Sequence, residues 1–205
     1  MGSAERKMRE KAALRRKIIA AASEVVSREG HEQLTIRKVA AAIEYSPRVI
    51  YLHFEDKDDL LRAIVEAGFE RTLEERGTTP RDSSRSAEER VRRRLREHIE
   101  AALSDPNFYR AVVAILLTKR YPPGPAQQAV ITEAREDLRE LSSQEHDTAA
   151  QIEADLMIVF ATLRGFTRSL VTVADHLAAE ERAQLIESFI AYTIAGVRRE
   201  RAEHT

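Results

Sequence analysis

The sequence of 205 residues contains no cysteine and no tryptophan, and it has only 7 glycines and 6 prolines. The absence of cysteine excludes disulfides, thiolate catalysis and cysteine-ligated zinc. There is no apolar segment near the N-terminus that would act as a secretion signal, and no uninterrupted apolar run of 18 residues. We therefore expect a cytoplasmic protein that does not span a membrane.

Motifs for catalysis and metal binding are also missing. The sequence has no recognisable nucleophile and base pair, no glycine-rich phosphate loop and no H-E-x-x-H metal motif. Its six histidines are scattered singly, and metal sites need clustered ligands. We expect residues such as His98 and His176 to be structural or solvated, and we predict no enzyme activity, no cofactor and no metal.

The residues that are present favour helix and a local basic surface. Apolar residues make up 43% of the chain and charged residues 33%, which is enough for a core in one or two small domains. Few aromatic residues and an abundance of Ala, Arg, Glu and Leu favour helix throughout. Residues 1–54 carry 11 Lys/Arg and 6 Asp/Glu, whereas residues 55–205 carry 22 and 28. This uneven distribution suits a basic DNA-binding part on an acidic remainder.

The stretch from Thr35 to Lys57 carries the strongest functional signal. Thr35 is a good N-cap, and the apolar residues that follow at helical spacing predict a short helix to about Ile43. Ser46 and Pro47 then open a second helix that we expect to end near His53. Two short helices joined by a tight turn have the geometry of a helix-turn-helix that enters the DNA major groove.

The second of these helices has an inward and an outward side. Ile50 and Phe54, four residues apart, are expected to anchor it to the core. The outward or nearly outward residues are then Pro47, Arg48, Val49, Tyr51 and Leu52. Donors for DNA phosphates and bases cluster around them, namely Arg37, Arg48, Tyr51, His53 and Lys57.

These residues resemble the N-terminal domain of the tetracycline-repressor (TetR) family of transcriptional regulators. The resemblance runs from Arg16 to about Thr72 and rests on REG at 28–30, TIRKVA at 35–40, SP at 46–47, IYLHF at 50–54, and Lys57 with Leu60. It implies that the second helix reads bases, that Arg37 reaches the groove or its edge, and that Tyr51, His53 and Lys57 hold phosphates. The predicted DNA-binding residues are Thr35, Arg37, Ser46, Pro47, Arg48, Val49, Tyr51, Leu52, His53 and Lys57.

Two positions depart from the family pattern. Family members often have Gly where this chain has Glu44, and a small residue where it has Arg48. The first change affects the turn, and the second indicates an operator-specific contact.

The apolar pattern predicts an all-α protein of about nine helices in three parts. Residues 1–56 form an N-terminal arm and helix-turn-helix domain, residues 57–76 a connecting helix, and residues 86–201 a helical body for dimerisation and effector binding. The turn-forming segment 77–86 is the predicted linker. Residues 1–14 are expected to be a mobile arm or a frayed extension of the first helix, and whether they touch DNA stays open.

Two further sites are predicted in the body. Apolar residues recur at heptad spacing in the last sixty residues, which favours a homodimer through the last two helices. The predicted interface residues are Ile152, Leu156, Val159, Leu163, Phe166, Leu170, Leu185, Phe189 and Tyr192. The family resemblance also implies an effector pocket, for which the candidates are Phe69, Phe108, Tyr109, Leu116, Met157, Phe160 and Arg164. Plain core packing is the alternative for each of these pocket residues.

The resulting hypothesis is a cytoplasmic repressor that binds a pseudo-palindromic operator in double-stranded DNA and leaves it when an unknown, largely apolar effector binds. One alternative is a helical scaffold that has the same head without sequence-specific DNA binding. Another is an architectural protein that binds DNA with little sequence preference.

Overall fold

The computed structural model describes residues 2–76, 84–118, 121–142 and 148–199. These ranges contain helices and no strand, which confirms the predicted all-α class. The helices are α1 (Ser3–Glu29), α2 (Ile36–Ala42), α3 (Pro47–Tyr51), α4 (Lys57–Arg76), α5 (Ala87–Ser104), α6 (Pro106–Thr118), α7 (Pro125–Ser142), α8 (Ala149–Val173) and α9 (Ala179–Arg199). A short 3-10 turn, Ala174–His176, follows α8.

The chain divides into two compact units, and the division differs from the predicted domains. Unit 1 comprises Met1–Glu75 and Asp105–Gln127, and unit 2 comprises Arg76–Ser104 and Gln128–Thr205. The prediction had assigned α6 to the body, but Ala111 and Ile115 of α6 pack in the core of unit 1. The apolar face of α6 fits either core, so its periodicity did not reveal its partner. Most of the predicted linker, residues 77–83, lies outside the described residues.

Helix α1 is a single long helix that supports unit 1. Ile18, Ala22 and Val26 are fully buried in its core. The helix begins at Ser3, so residues 3–14 are helical, as in the second of the two predicted arrangements for this arm. Gly30 ends the helix at a φ of 86°, a backbone conformation that favours glycine.

Helix α6 begins at a contact that ties it to α1. The Asp105 carboxylate accepts the backbone N–H of Phe108 at 3.0 Å and the Ser27 hydroxyl at 2.7 Å. Pro106 occupies the first helical position, where its missing N–H costs nothing. Asp105 therefore caps α6 and joins its first turn to the last turns of α1.

Helix α7 takes its cap from a distant residue. Its own N-terminal flank is Pro122-Pro123-Gly124, which has no polar side chain to accept the first backbone N–H groups. Glu66 of α4 supplies that acceptor, because its carboxylate lies 2.5 Å from the N–H of Ala126 and 3.4 Å from that of Gln127. A Cβ atom at Gly124 would overlap this carboxylate. Glycine at this position therefore allows the close approach.

The core of unit 2 contains most of the heptad seam. Leu156, Val159, Leu163 and Leu170 are buried in the core of unit 2, and Ile152 is also buried in the chain. Phe166 and Phe189 stack with their ring centroids 4.1 Å apart and help to join α8 to α9. The seam was predicted to be a dimer interface. That assignment is wrong for the five buried residues, because the same spacing also packs a helix against its own domain.

A buried ion-pair network joins α5 to α7 in unit 2. The carboxylate of Asp137 lies 2.7 Å from Nε of Arg90 and 2.6 Å from a terminal nitrogen of Arg94. Glu140 pairs with Arg90 at 2.5 Å, and Glu133 pairs with Arg94 at 3.0 Å. These contacts satisfy most of the N–H donors of the two arginines, which lie between α5 and α7.

Among the described residues, one helical segment, Ala149–His176, is long and apolar enough to cross a membrane by length and composition alone. One face of this segment packs in the core of unit 2. A core helix passes the same test, so the segment is weak evidence for membrane insertion.

Candidate DNA interface, effector site and dimer surface

The turn between α2 and α3 has a defined geometry. The N–H of Tyr45 donates to the carbonyl of Ala40 at 2.9 Å, and the N–H of Glu44 donates to that of Ala41 at 3.2 Å. These two bonds form a Schellman motif, which requires a positive φ at the residue after the C-cap. That residue is Glu44, with a φ of 61°. The turn therefore has the conformation that glycine favours, although the residue there is glutamate.

Helix α2 holds the turn on the core. The Thr35 hydroxyl accepts the N–H of Lys38 at 3.2 Å and caps the helix. Ile36 and Val39 are buried on its inner side, and Arg37 is exposed on its outer side. Lys38 is engaged by Glu29 at 2.7 Å, whereas Arg37 has no ion pair with another described residue. Arg37 is thus available for an external partner.

Helix α3 presents its outward side as predicted. Ile50 and Phe54 are buried, which fixes the rotation of the helix about its axis. Ser46, Pro47 and Arg48 are exposed at its N-terminal end. The helix ends at Tyr51, two residues before the predicted end.

The exposed side of α3 is unusually apolar. Tyr51 is 56% exposed and Leu52 is 67% exposed, while Val49 is partly exposed. Large apolar side chains left in water beside an exposed arginine are typical of a contact surface. Base edges and thymine methyl groups in the major groove offer contacts of both kinds.

His53 and Lys57 are held more closely by the protein than the sequence indicated. Nδ1 of His53 is buried without a hydrogen-bond partner in the described structure. Burial lowers the pKa of His53, and the nearby charges of Lys11 and Arg15 lower it further. Nζ of Lys57 donates to the carbonyl of Glu32 at 2.9 Å. An ammonium group has three donors, so two remain for a phosphate.

Helix α4 begins beside this surface with its own cap. Asp56 accepts the N–H of Asp59 at 2.7 Å, as expected of an N-cap, and Asp59 accepts the N–H of Glu55 at 3.1 Å. These two bonds fix the chain that leads from α3 into α4. They also fix Lys57, the first residue of α4, close to the loop that precedes α2.

Three residues at this surface were not among the predicted contacts. Tyr45, in the turn, is 43% exposed, and Nζ of Lys17 lies 5.3 Å from the centre of its ring. The guanidinium of Arg15 lies 4.9 Å from the centre of the Phe54 ring. Lys17 and Arg15 belong to α1, which is distant in sequence from the motif. Tyr45 could have been found from the sequence, because an aromatic residue in a tight polar turn is not expected to be buried.

The seven predicted effector-pocket residues divide between the two units. Phe69, Phe108 and Leu116 pack against the core of unit 1. Tyr109 of α6 is buried but does not belong to that core. Met157, Phe160 and Arg164 belong to unit 2. Phe108 lines a cleft of about 890 Å³ among α1, α4 and α6. Met157 is 72% exposed and therefore does not line the interior of its unit.

The outer side of α8 and α9 is apolar although the seam itself is buried. Among the described residues, five exposed large apolar side chains lie on these two helices, namely Met157, Ile158, Val173, Leu185 and Tyr192. Tyr192 is 78% exposed. A shallow groove between the helices is lined by Ile158, Thr162, Tyr192 and Gly196, among others. The predicted interface residues Leu185 and Tyr192 are therefore exposed on this side.

Comparisons with known proteins agree with this geometry. Residues 18–64 match the family model of bacterial regulatory proteins of the tetR family. No curated protein matches the chain in sequence. FadR from Bacillus subtilis, solved in complex with stearoyl-CoA, is 18% identical with a TM-score of 0.66, over 88% of this chain and 97% of that one.

Two other solved structures share the fold. A TetR variant from Acinetobacter baumannii AYE, in complex with minocycline, is 22% identical with a TM-score of 0.66, over 90% of this chain and 96% of that one. BioQ with its natural double-stranded DNA operator is 19% identical with a TM-score of 0.60, over 86% and 98%. The helix-turn-helix head and the helical remainder define an all-α protein of the helix-turn-helix class. Its N-terminal helices match the tetR family model over residues 18–64, and the whole chain shares the fold of these solved structures.

Proposed function

We propose that this protein is a ligand-responsive transcriptional repressor that binds a pseudo-palindromic operator as a homodimer. The observation that carries the proposal is the outward side of α3, where Arg48, Tyr51 and Leu52 are exposed while Ile50 and Phe54 lock the helix to the core. A helix held rigidly with a mixed polar and apolar face outward suits the major groove.

The exposed residues fall into two roles in this proposal. Arg48, at the N-terminal tip of α3, donates two hydrogen bonds to guanine O6 and N7, and Arg37 does the same from α2. Lys57 binds a phosphate, because it lies beyond the reading helix at the start of α4. Two copies of α3 related by a twofold axis require half-site centres about 10–10.5 bp apart, or a multiple of that spacing.

Selection of bound duplexes from a random DNA library tests this function directly. The expected result is a pseudo-palindrome with the half-site spacing given above. Arg48→Ala should then cost about 1–3 kcal/mol on the selected operator and relax the preference at one base pair in each half-site. Lys57→Ala should weaken operator and scrambled DNA alike and lower the salt slope by about one per subunit. If Arg48→Ala weakened binding to the operator and to scrambled DNA equally, Arg48 would contact a phosphate and not a base.

The proposed dimer surface is the outer side of α8 and α9, around Met157, Ile158 and Tyr192. Its support is the concentration of exposed apolar side chains there, which a monomer would leave in water. The small residues Thr162 and Gly196 line the groove beside Tyr192 and leave room for a side chain of a second copy. The buried seam is not part of this surface.

The effector is proposed to be a small, largely apolar molecule that weakens DNA binding. The support is that related folds have been solved with molecules that have a large apolar portion beside polar groups, stearoyl-CoA in FadR and minocycline in the TetR variant. Helix α4 is the proposed connection, since it follows the DNA-binding surface directly and lines the cleft beside Phe108 with Ala67 and Gly68. The coupling between the two sites should be on the order of 1–3 kcal/mol.

A panel of compounds that includes stearoyl-CoA and minocycline tests this second part. An effector should raise the melting temperature and lower the operator affinity of the same sample. If no compound in a broad panel does both, the protein is not a sensor of this kind.

The alternative function, a helical scaffold or an architectural protein of the same fold, differs in one measurable property. Such a protein would bind operator and scrambled duplexes with similar affinity, or would bind neither. The exposed Arg48 favours sequence-specific binding, because it offers a bidentate donor at the tip of α3. All of these functions act on DNA or partners in the cytoplasm.

A further inference from the structure

Helix α1 extends beyond the core of unit 1 towards its N-terminus, and the row of residues that faces the core continues along the extension. Its core-facing row, read towards the N-terminus, is Val25, Ala22, Ile18 and Leu14. Continuing the same row by steps of three and four residues leads to Lys11 and then Lys7. Both lysines are exposed. The inner face of α1 is therefore apolar where the core covers it and cationic where the core ends.

The lysine-bearing turns lie next to the end of the reading helix. Arg15, one turn after Lys11, places its guanidinium 4.9 Å from the centre of the Phe54 ring. Lys11 and Arg15 are both close enough to His53 for their charges to act on its ring, in addition to its burial. His53 and Phe54 directly follow α3. The protruding part of α1 thus emerges at the C-terminal end of the proposed base-reading element.

The acidic side chains of the protruding turns pair with groups other than Lys7 and Lys11. Arg6 pairs with Glu10 at 3.5 Å, and the Glu5 carboxylate accepts the N–H of Gly2 at 3.3 Å. Lys7 and Lys11 form no ion pair with another residue that the structure describes. The acidic residues of the extension are therefore engaged elsewhere, and the inner side keeps two uncompensated positive charges.

We propose that Lys7 and Lys11 bind DNA backbone phosphates outside the base pairs that α3 contacts. This inference rests on the proposed function, because it takes the α2–α3 surface as the DNA-binding side. The two lysines are one turn apart, about 6 Å along the helix axis. Phosphates of one DNA strand recur about every 3.4 Å along the duplex axis, so the two lysines can reach different phosphates of the same strand. DNA binding would also stabilise helical turns that have no packing partner within unit 1.

Two matched pairs of substitutions test the assignment. Lys7→Gln with Lys11→Gln removes two charges from the inner side, and Arg6→Gln with Arg9→Gln removes two charges from other sides of the same turns. Glutamine keeps a helix propensity close to that of lysine and arginine. Far-UV circular dichroism should therefore be unchanged in both variants.

Each variant is titrated with two duplexes at several salt concentrations. One duplex is the highest-affinity sequence from the random-library selection with 12-bp flanks, and the other is the same sequence trimmed to flush ends. On the flanked duplex, the inner pair should lower the salt slope by about two per subunit, since each phosphate contact contributes about 0.9. On the trimmed duplex, the variant with Lys7 and Lys11 replaced should have the same salt slope as the wild type. The variant with Arg6 and Arg9 replaced should have nearly the wild-type salt slope on both duplexes.

The possible outcomes separate the inference from the function. A wild-type protein that binds no duplex selectively would refute the proposed function itself. Selective binding with equal slopes for the inner and outer pairs would overturn only the lysine assignment. An inner-pair effect of the same size on both duplexes would also overturn it, because the contacts would then lie within the read site.

Discussion

The buried network around Asp137 should dominate the stability of unit 2. Asp137 is 1% exposed and Arg90 is 4% exposed, so the substitution Asp137→Asn removes the buried negative charge that pairs with Arg90, and the exposed Glu140 compensates that arginine only in part. Breaking a buried pair in this way costs about 3–5 kcal/mol. Glu140 and Glu133 still engage Arg90 and Arg94, so we expect about 3 kcal/mol. For a unit of roughly 100 residues this lowers the melting temperature by roughly 12 °C or more.

The chain has no tryptophan, so thermal unfolding is followed by far-UV circular dichroism, with amide hydrogen exchange to assign the change to α5 and α7. Glu153→Gln is the control, because it breaks an exposed pair with Arg135 and should leave the melting temperature nearly unchanged. Replacing both partners, as Arg90→Met with Asp137→Leu, should recover most of the loss. A shift below about 4 °C for Asp137→Asn, about 1 kcal/mol, would refute the assignment of a dominant network.

Three further predictions follow from features of the two units. Met157→Glu with Tyr192→Glu should convert the proposed dimer to a folded monomer in sedimentation at micromolar concentration, while Met8→Glu, at an equally exposed methionine of α1, should not. Glu44→Gly should raise the stability by about 0.5–1 kcal/mol. The strain of a positive φ at a residue with a side chain, about 1–2 kcal/mol, exceeds the entropy cost of glycine. An unchanged or lower melting temperature would contradict this prediction. Since the pKa of His53 is lowered by burial, the unfolded chain binds more protons there, and stability should fall as the pH drops below about 6.5. His53→Gln should flatten that part of the pH profile.

Local signals in the sequence predicted the helix-turn-helix geometry of the candidate DNA interface. The cap at Thr35 and the proline at position 47 are short-range features, and each lies where the sequence predicted it. Burial of Ile50 and Phe54 then follows from helical spacing alone. Elements that depend only on neighbours within one or two turns can be read from the chain because the same residues form the cap and its partner.

Long-range partners were harder to predict. The sequence pattern of the apolar face of α6 does not indicate which core the helix joins. In the structure, α6 packs in unit 1. The heptad seam of α8 fits a partner helix from the same unit as well as one from a second copy, and it packs in the former. Asp137 and Arg90 are 47 residues apart. Their pairing depends on how α5 and α7 are packed, which no local pattern records.

The cap that Glu66 provides for α7 has a consequence for how this chain can diverge. A side chain at position 124 and a full-length glutamate at position 66 cannot occupy the same space. A lineage that loses Gly124 must therefore shorten or move the residue at 66, and it must then acquire a local Ser, Thr, Asp or Asn to cap α7. Positions 66 and 124 should covary across homologues as a pair, although they are separated by two intervening helices in the sequence. An alignment deep enough to show such pairs would reveal this contact without any structure.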